Sequence, residues 1–416
     1  MPNNDNLFAE YESEVRSYSR SFPTTFTKAK GSLMFDSNGK EYIDFFDGAG
    51  ALNYGHNNDY IKQKLISYLQ DDGIIHALDM QTEAKAEFID CFEDKILKPR
   101  GFNYKLQFTG PTGTNAVEAA LKLSRKVKQR NLVWAFMGCF HGMTLGALSL
   151  TSQIDDRRGA GTALHDVIHI PAPYMMGGFD TMAYMEMLLS DDHSGSDKPA
   201  AIFIETVQAE GGINVFSNEF LKELRAFCDR HDILLVVDDI QVGCARCGTF
   251  FSFERAGIEP DMVVMSKSIG GYGMPMALVL LKPELDIWKP GEHNGTFRGN
   301  QLSFVAAKAG LEFMLEHKIE AEALRKGEIV KSFLAERIAC LPCVKDVRGI
   351  GLVWAVDFED GDIARQVSKT AFENGLIAER CSRHGGAVKI LPALTIEDEQ
   401  LIKGLEILEK AIKELK

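Results

Sequence analysis

Ile233-Leu-Leu-Val-Val-Asp238-Asp-Ile-Gln241 and, about a helix-length further on, Met262-Val-Val-Met-Ser-Lys267 decide the fold class of this chain. Both are short apolar runs typical of buried strands, and each ends in a functional group, the Asp238 carboxylate or the Lys267 amine. Similar apolar runs alternate with amphipathic helices, which predicts a mostly parallel sheet covered on both faces. Ligands bind at the carboxyl edge of such sheets, so we expect the acid and the amine to face one site.

An amine that faces an acid suits a cofactor bound as a Schiff base. The lysine holds the aldehyde of such a cofactor, and the aspartate holds its protonated pyridine nitrogen. A lysine or an aspartate after a strand is more often a solvated cap, so this interpretation depends on the segments around both residues.

The order of predicted elements divides the chain into a large and a small domain. The central region should contain the strands Lys105–Phe108, Leu132–Ala135, Ala201–Ile204, Leu234–Val237, Met262–Met265 and Ala277–Leu281. Residues 29–45 predict a β-hairpin with its turn at Ser37–Lys40. The end of the chain should form a smaller α/β unit, with strands at Val347–Phe358 and Ala387–Leu391. We therefore expect a large domain over residues 58–316 and a small domain built from both chain ends, 1–57 and 317–416.

The composition is that of an ordinary globular protein, with 45% hydrophobic and 25% charged residues among 416. The net charge of -13 argues against nucleic acid and against an anionic membrane surface as partners. The amino terminus shows no basic region followed by an apolar stretch, and no apolar run is long enough to span a bilayer. We expect a cytoplasmic protein with reduced cysteines.

Two CxxC pairs, Cys244/Cys247 and Cys340/Cys343, have the spacing of a four-thiolate zinc site. The pairs lie far apart along the chain, and neither is in a Gly-rich knuckle. The histidines form no HxxH or HExxH pair. We therefore expect core packing for the cysteines and no metal.

The loop Thr109-Gly-Pro-Thr112-Gly113-Thr114 joins a strand to a strong helix former. Such a loop offers free backbone amides, hydroxyl groups and the positive end of the helix dipole, which suits a phosphate. Its spacing fits neither the dinucleotide pattern nor the P-loop, so it predicts a single phosphate monoester. The alternative is an ordinary helix cap at Thr112 or Thr114.

Two other loops also follow strands. Phe140-His-Gly142 places an aromatic ring where it can stack on a planar ligand, or simply pack. In Glu205-Thr-Val-Gln-Ala-Glu210-Gly-Gly, two carboxylates precede paired glycines. These carboxylates can orient a positively charged group, and the alternative is a polar loop.

Taken in order, these segments resemble the class III, or ω-amino acid, branch of the pyridoxal-phosphate aminotransferases over essentially the whole chain. The series continues through Ser266-Lys267 and ends at Thr296-Phe-Arg-Gly-Asn300. The resemblance implies the type I fold of these transferases, pyridoxal 5'-phosphate as cofactor, and a homo-oligomer, at least a dimer, with active sites shared between two chains.

The resemblance also implies roles for individual residues. Lys267 would attach the cofactor and shuttle a proton, and Asp238 would pair with the pyridine nitrogen, so both would be catalytic. Thr296 would reach the phosphate from the neighbouring subunit. The implied cofactor-binding residues are Gly113, Thr114, Phe140, Glu205, Asp238, Gln241, Lys267 and Thr296.

Within that family the chain is similar to the diaminobutyrate–2-oxoglutarate transaminases of ectoine biosynthesis, most densely in Phe108–Leu121, Val236–Gly243, Ser266–Gly273 and Lys289–Asn300. The implied reaction moves an amino group from L-glutamate to L-aspartate 4-semialdehyde and gives L-2,4-diaminobutyrate and 2-oxoglutarate. The alternatives are a transaminase for ornithine, γ-aminobutyrate or a polyamine, a pyridoxal-phosphate semialdehyde aminomutase, and a binding protein that retains the fold. The same reaction could also supply siderophore or antibiotic precursors.

The chain departs from the ornithine and γ-aminobutyrate enzymes at two positions where they carry an arginine for substrate carboxylates. Met143 and Lys389 stand there instead, and a lysine binds a carboxylate without the guanidinium fork. We hypothesise that Lys389 takes the α-carboxylate of glutamate and pairs with Glu210 when the reacting amine is terminal. Candidate anchors for the other carboxylate are Arg298 and an arginine near the amino terminus.

Overall fold

A computed structural model of the protein describes residues 4–175, 177 and 179–415. The strands of these residues form four sheets. In chain order they are β1 (Phe26–Lys30), β2 (Leu33–Asp36), β3 (Glu41–Asp44), β4 (Lys105–Phe108), β5 (Val133–Phe136), β6 (Val167–Ile170), β7 (Ala201–Ile204), β8 (Val207–Gln208), β9 (Asn214–Val215), β10 (Leu234–Asp238), β11 (Met262–Met265), β12 (Leu278–Leu281), β13 (Val344–Ile350), β14 (Val353–Phe358), β15 (Leu376–Ile377), β16 (Arg380–Cys381) and β17 (Ala387–Ile390).

The α-helices alternate with these strands through the middle of the chain. They are α1 (Asn4–Tyr11), α2 (Tyr18–Ser21), α3 (Asp59–Gln70), α4 (Glu83–Phe92), α5 (Lys98–Arg100), α6 (Gly113–Lys128), α7 (Leu145–Leu150), α8 (Ile154–Arg158), α9 (Thr181–Ser190), α10 (Asn218–Arg230), α11 (Gln301–Glu316), α12 (Ile319–Phe333), α13 (Gly361–Glu373) and α14 (Asp398–Lys413). Helices α4 and α12 each continue into a π-helical turn, Glu93–Leu97 and Leu334–Ile338. No helix among the described residues is both long and apolar enough to cross a membrane.

The central sheet has seven strands in the order β4-β12-β11-β10-β7-β5-β6. Strand β12 runs antiparallel to both of its neighbours, and the other pairs are parallel. The predicted mostly parallel sheet is therefore confirmed, and its predicted strands are found within one residue at each end. Edge strand β6, with the sequence Val-Ile-His-Ile, was missed.

Both faces of this sheet are covered, as the continuous apolar strands predicted. Strands β10 and β11 are buried at every residue, and their side chains alternate between two cores. Val236 and Val264 join the core beneath α6, whereas Val237 and Met265 join the larger core that includes Phe304 of α11. This double burial fixes the register of β10 and β11 and thereby the positions of the residues that follow them.

Residues from both ends of the chain meet in a smaller sheet. The hairpin of β2 and β3 forms as predicted, with Gly39 at φ +81° in its turn. Strand β15 then adds to β3 in parallel, with Leu376 opposite Ile43. A further antiparallel sheet has the order β13-β14-β17-β16, and the predicted strand Val347–Phe358 is in fact the hairpin of β13 and β14. The domain boundaries at residues 57/58 and 316/317 stay predictions.

Candidate active site

Lys267 and Asp238 reach the same edge of the central sheet. Asp238 is the last residue of β10 and lies opposite Val264 of the parallel neighbour β11, and Lys267 follows β11. Lys267 is half-buried and has φ 55°, a backbone conformation that residues other than glycine rarely adopt. Burial lowers the pKa of the Lys267 amine, although the nearby Glu210 carboxylate opposes this shift. A lysine with a lowered pKa is a better nucleophile towards an aldehyde.

His141 holds the carboxylate of Asp238. His141 Nδ1 lies 2.7 Å from Asp238 Oδ2, and both side chains are buried. Burial alone would favour a neutral ring, but Cys139 and the hydrogen bond to Asp238 together raise the pKa of His141 well above its usual value. The other carboxylate oxygen, Oδ1, accepts the backbone N–H of Ile240 at 3.1 Å. The Asp238 carboxylate thus has His141 and a backbone N–H as partners. No sequence spacing pointed to His141.

Gln241 lies between this site and the turn Asp47–Gly50. Its Nε2 donates to the carbonyl oxygen of Ala49 at 2.8 Å and to Glu210 Oε1 at 3.2 Å. Its Oε1 is buried and has no hydrogen-bond partner among the described residues. An unpartnered buried oxygen costs about 1–3 kcal/mol, so Gln241 is suited to meet a polar group of a ligand.

The predicted phosphate loop leads directly into α6. Neither the Gly113 nor the Thr114 N–H donates to a backbone carbonyl in the described part of the chain. Thr112 is the residue before the helix, and its side chain makes no capping hydrogen bond. A Cβ at Gly113 would lie 2.8 Å from Ile240 Cδ1, just after Asp238. Gly113 therefore packs against the segment that follows β10.

Glu205 holds the loop that carries Phe140. Its Oε1 accepts the Phe140 N–H at 2.9 Å, and its Oε2 accepts the Ala209 N–H at 3.2 Å. Burial raises the pKa of Glu205 to about 7. Both oxygens are thus engaged by the backbone, and the contact of Glu205 and of half-buried Phe140 with a cofactor stays a prediction. Thr296 lies exposed in the loop before α11, and its role at a subunit interface also stays a prediction.

Lys389 is fully buried between two carboxylates. Its Nζ lies 2.6 Å from Glu210 Oε1 and 2.8 Å from Glu379 Oε2. Burial alone would lower the pKa of Lys389, but Glu210 and Glu379 raise it far above the usual value. The predicted pair with Glu210 is present. Glu379 was missed, since it approaches Lys389 only because β16 pairs with β17.

A cavity of about 790 Å³ opens beside these residues, between the Phe140 loop and the loop that follows β16. Its lining includes Phe140, Glu210, Met175 and Arg383. The arginines suggested as carboxylate anchors do not line it. Arg298 pairs with Asp79, and the amino-terminal Arg16 and Arg20 pair with Glu12 and Glu14.

The cysteine pairs do not combine. Cys244 and Cys247 are buried in the core, and Cys340 is exposed. Across residues 4–175, 177 and 179–415, the one cluster with metal-ligand geometry is the exposed Asp191, Asp192 and His193, which contains no cysteine.

The aminotransferase class-III family model matches residues 15–412, and the chain belongs to this family. It is 52% identical to a diaminobutyrate–2-oxoglutarate transaminase of Streptomyces coelicolor, over 98% of this chain and 97% of that protein. It is 53% identical to the Nocardia farcinica enzyme of the same name, over 98% and 94%. Its fold is similar to the ornithine aminotransferase of Toxoplasma gondii, with a TM-score of 0.86 and 26% identity over 98% of this chain and 93% of that one.

Proposed function

We propose that this protein is a pyridoxal-phosphate-dependent transaminase that moves an amino group from L-glutamate to L-aspartate 4-semialdehyde, giving L-2,4-diaminobutyrate and 2-oxoglutarate. The observation that carries the chemistry is the meeting of the Lys267 amine and the Asp238–His141 ion pair at one sheet edge. The choice of substrates rests on relatives about half identical over nearly the whole chain, which are named for this reaction.

The residues present fit the cofactor that the family implies. The free N–H groups of Gly113 and Thr114 suit its phosphate, and the orphaned Gln241 Oε1 suits a polar group on its ring. Lys267 would hold the aldehyde, Asp238 the pyridine nitrogen, and Phe140 would cover one ring face. When bound, pyridoxal phosphate supplies the electron sink that makes the carbon–hydrogen bond beside the amine acidic.

The chain itself supplies charge and proton transfer. His141 pairs with Asp238, and Asp238 would stabilise a proton on the pyridine nitrogen. With the cofactor bound, Lys267 Nζ would be the base that takes the proton from the reacting carbon and gives it back at the other end of the transfer. Its lowered pKa favours the neutral amine that this role requires.

Two substrates must use one site in turn, and the cluster of Lys389, Glu210 and Glu379 suits this alternation. Glutamate carries a carboxylate next to its reacting carbon, whereas diaminobutyrate carries only hydrogen there. We infer that the Lys389–Glu210 pair stays closed for the terminal amine and opens for glutamate, with Glu379 as a second partner for the ammonium group. Met143, which replaces an arginine of the ornithine and γ-aminobutyrate enzymes, argues against those two alternatives.

The assembly that we propose is a homodimer or a larger homo-oligomer in the cytoplasm. The oligomer is supported by an apolar surface around the Thr296 loop. Four of its side chains are more than half exposed: Ile74 (54%), Ile75 (51%), Met80 (60%) and Phe297 (64%). Apolar side chains gathered in this way commonly mark an interface. The proposed pathway is ectoine biosynthesis, and neighbouring genes that act on diaminobutyrate would separate it from siderophore or antibiotic supply.

The visible spectrum of the cofactor-loaded protein tests the proposed function. Adding 2,4-diaminobutyrate without a keto acid should bleach the yellow band, and 2-oxoglutarate should restore it. Lys267→Ala, which cannot attach the cofactor, is the matched control. A band that is indifferent to diaminobutyrate would refute the substrate assignment, and turnover of a semialdehyde without any keto acid would favour the aminomutase.

A further inference from the structure

Both amino donors of the proposed reaction share one feature besides the reacting amine. Glutamate reacts at C2 and diaminobutyrate at C4, and in each a carboxylate lies the same number of carbon–carbon bonds from the reacting carbon. A single cation at a fixed distance from Lys267 can therefore bind the far end of both substrates. This inference rests on the proposed function and identifies that cation.

Lys389 is poorly suited to this task. Its ammonium group already faces the carboxylates of Glu210 and Glu379 at 2.6 and 2.8 Å, so the cluster carries an excess of negative charge while both acids are ionised. A substrate carboxylate that approached it would have to displace one of them. Lys389 can do so for the second carboxylate of glutamate, but the carboxylate common to both substrates needs another partner.

Arg383 is a cation of the cavity without an anionic partner. It lies in the loop after β16, and its Nη2 contacts Met175 Sδ at 3.3 Å, a weak acceptor. Within the described residues, no carboxylate forms an ion pair with Arg383, whereas Asp155 on the same cavity wall pairs with Arg158 at 3.0 Å. The guanidinium group also lies close to the Tyr174 hydroxyl, and no described carboxylate competes for it.

The other arginine of the lining, Arg380, lies close to Gly385 and to charged residues of α13. Its Nη1 lies where it would be 2.9 Å from a Cβ at Gly385. Burial lowers its pKa, as does Arg365 of α13, and Asp362 at the start of α13 opposes the shift. Arg380 thus has the carboxylate of Asp362 nearby, whereas no described carboxylate pairs with Arg383. His169, which also lines the cavity, has a pKa lowered by burial and is the weaker cation there.

The backbone ties the Arg383 loop to the reacting end of the site. Ser382 N–H donates to the carbonyl oxygen of Glu210 at 2.9 Å, and Glu210 in turn contacts Gln241 and Lys389. Ser382 and His384 adopt φ values of 75° and 56°, which non-glycine residues take only where the surroundings hold them. Arg383 between them is thus held at a set place relative to Glu210.

We propose that Arg383 binds the substrate carboxylate remote from the reacting carbon, in both half-reactions. Arginine suits the role because its planar fork pairs with a carboxylate through two hydrogen bonds. The position after β16 would then take over the carboxylate binding that the related enzymes assign to the residue at Met143. In this site the anchor comes from the carboxyl-terminal part of the chain.

Arg383→Gln tests the proposal, with Arg365→Gln as the matched control. Arg365 is an exposed arginine that pairs with Asp362 outside the cavity. Loss of a charged hydrogen bond should raise the KM of Arg383→Gln for both glutamate and diaminobutyrate about 10-fold or more. Propane-1,3-diamine, which is diaminobutyrate without its carboxylate, should react equally well with wild type and variant. The KM values of Arg383→Lys should lie between those of wild type and those of Arg383→Gln.

A binding measurement without turnover completes the test. Glutarate has the remote carboxylate but no amine, and calorimetry should show it binding the cofactor-loaded Arg383→Gln protein about 10-fold more weakly than wild type. Unchanged KM values in Arg383→Gln, or a raised KM for glutamate alone, would overturn the proposal. So would an equal loss of activity with propane-1,3-diamine, or an equal rise in KM in Arg365→Gln. If wild type leaves diaminobutyrate untouched, the proposed function fails, and glutarate binding still tests Arg383.

Discussion

His141 Nδ1 and Asp238 Oδ2 lie 2.7 Å apart in a buried ion pair, although 97 positions separate the two residues in the chain. The pair forms because the Phe140-His-Gly loop after β5 and the end of β10 open onto the same sheet edge. Asp238 is the last residue of a strand that is buried on both faces, and His141 supplies a partner for its buried carboxylate.

His141→Gln should lower kcat about 10- to 100-fold, because Asp238 loses a charge-assisted hydrogen bond and stabilises the pyridine proton less well. KM for glutamate should change little, since His141 is held away from the cavity. Steady-state kinetics measure both values. His231→Gln, which removes a surface histidine paired with Glu186, is the control. Equal kcat in the two variants would contradict the role of His141.

Lys389→Met should reduce the free energy of unfolding by about 3 kcal/mol, because Glu210 and Glu379 lose their common cation. This loss is at the lower end of what removal of one partner from a buried ion pair usually costs. The reason is that burial already raises the pKa of Glu379 and lets it take up a proton. Urea denaturation measures the loss. Adding Glu379→Gln should restore part of the stability.

The same variant separates the two half-reactions. Lys389→Met should slow bleaching of the cofactor band by glutamate far more than bleaching by diaminobutyrate, because only glutamate has a carboxylate beside its reacting carbon. Stopped-flow absorbance measures both rates. Equal losses would show that Lys389 does not bind that carboxylate.

Arg246→Leu should destabilise the protein by about 3–5 kcal/mol, because it leaves Asp47 buried without its partner. Arg246 Nη2 lies 2.6 Å from both Asp47 Oδ2 and Asn53 Oδ1, and neither Arg246 nor Asp47 reaches solvent. Asp47 has φ 55°, and the same turn presents the Ala49 carbonyl to Gln241. Variants that fold should therefore also release the cofactor faster.

A double-variant cycle with Asp47→Asn checks this pair. If the ion pair is the cause, Arg246→Leu with Asp47→Asn should cost clearly less than the sum of the single changes. Additive losses in thermal or urea unfolding would mean that Arg246 acts through its hydrogen bond to the Leu352 carbonyl instead.

Asp239 should make stability fall as the pH rises. Burial raises the pKa of Asp239 from 3.8 to about 7, and its Oδ1 has no partner among the described residues, as suits a protonated acid. Between these pH values the folded chain keeps a proton that the unfolded chain has lost. The stabilisation is therefore complete below about pH 4 and is lost as the pH rises to about 7.

Asp239→Asn removes this dependence, because the amide stays neutral. The stability of the variant relative to wild type should rise by about 1.4 kcal/mol per pH unit between pH 5 and pH 7. Urea denaturation at both pH values measures the change. A constant difference would show that Asp239 is ionised throughout.

Local sequence patterns were enough for the positions of the central strands and for the order of the site segments. The continuous apolar runs that end at Asp238 and near Lys267 could be recognised because a strand buried on both faces consists almost entirely of apolar residues. The same patterns do not indicate the direction of a strand relative to its neighbours, so β12 was not predicted to run antiparallel.

Only the tertiary structure shows which side chains pair with each other. The pairs His141–Asp238 and Glu379–Lys389, and the position of Arg383 on the cavity wall, join residues whose separation in the chain carries no periodic signal. Hydrogen bonds and ion pairs act over a few ångströms, and only the folding of distant segments onto one sheet edge brings such groups within that range. The sequence by contrast carries the periodic burial that builds the sheet, because the alternation of side chains along a strand is a local property of the backbone.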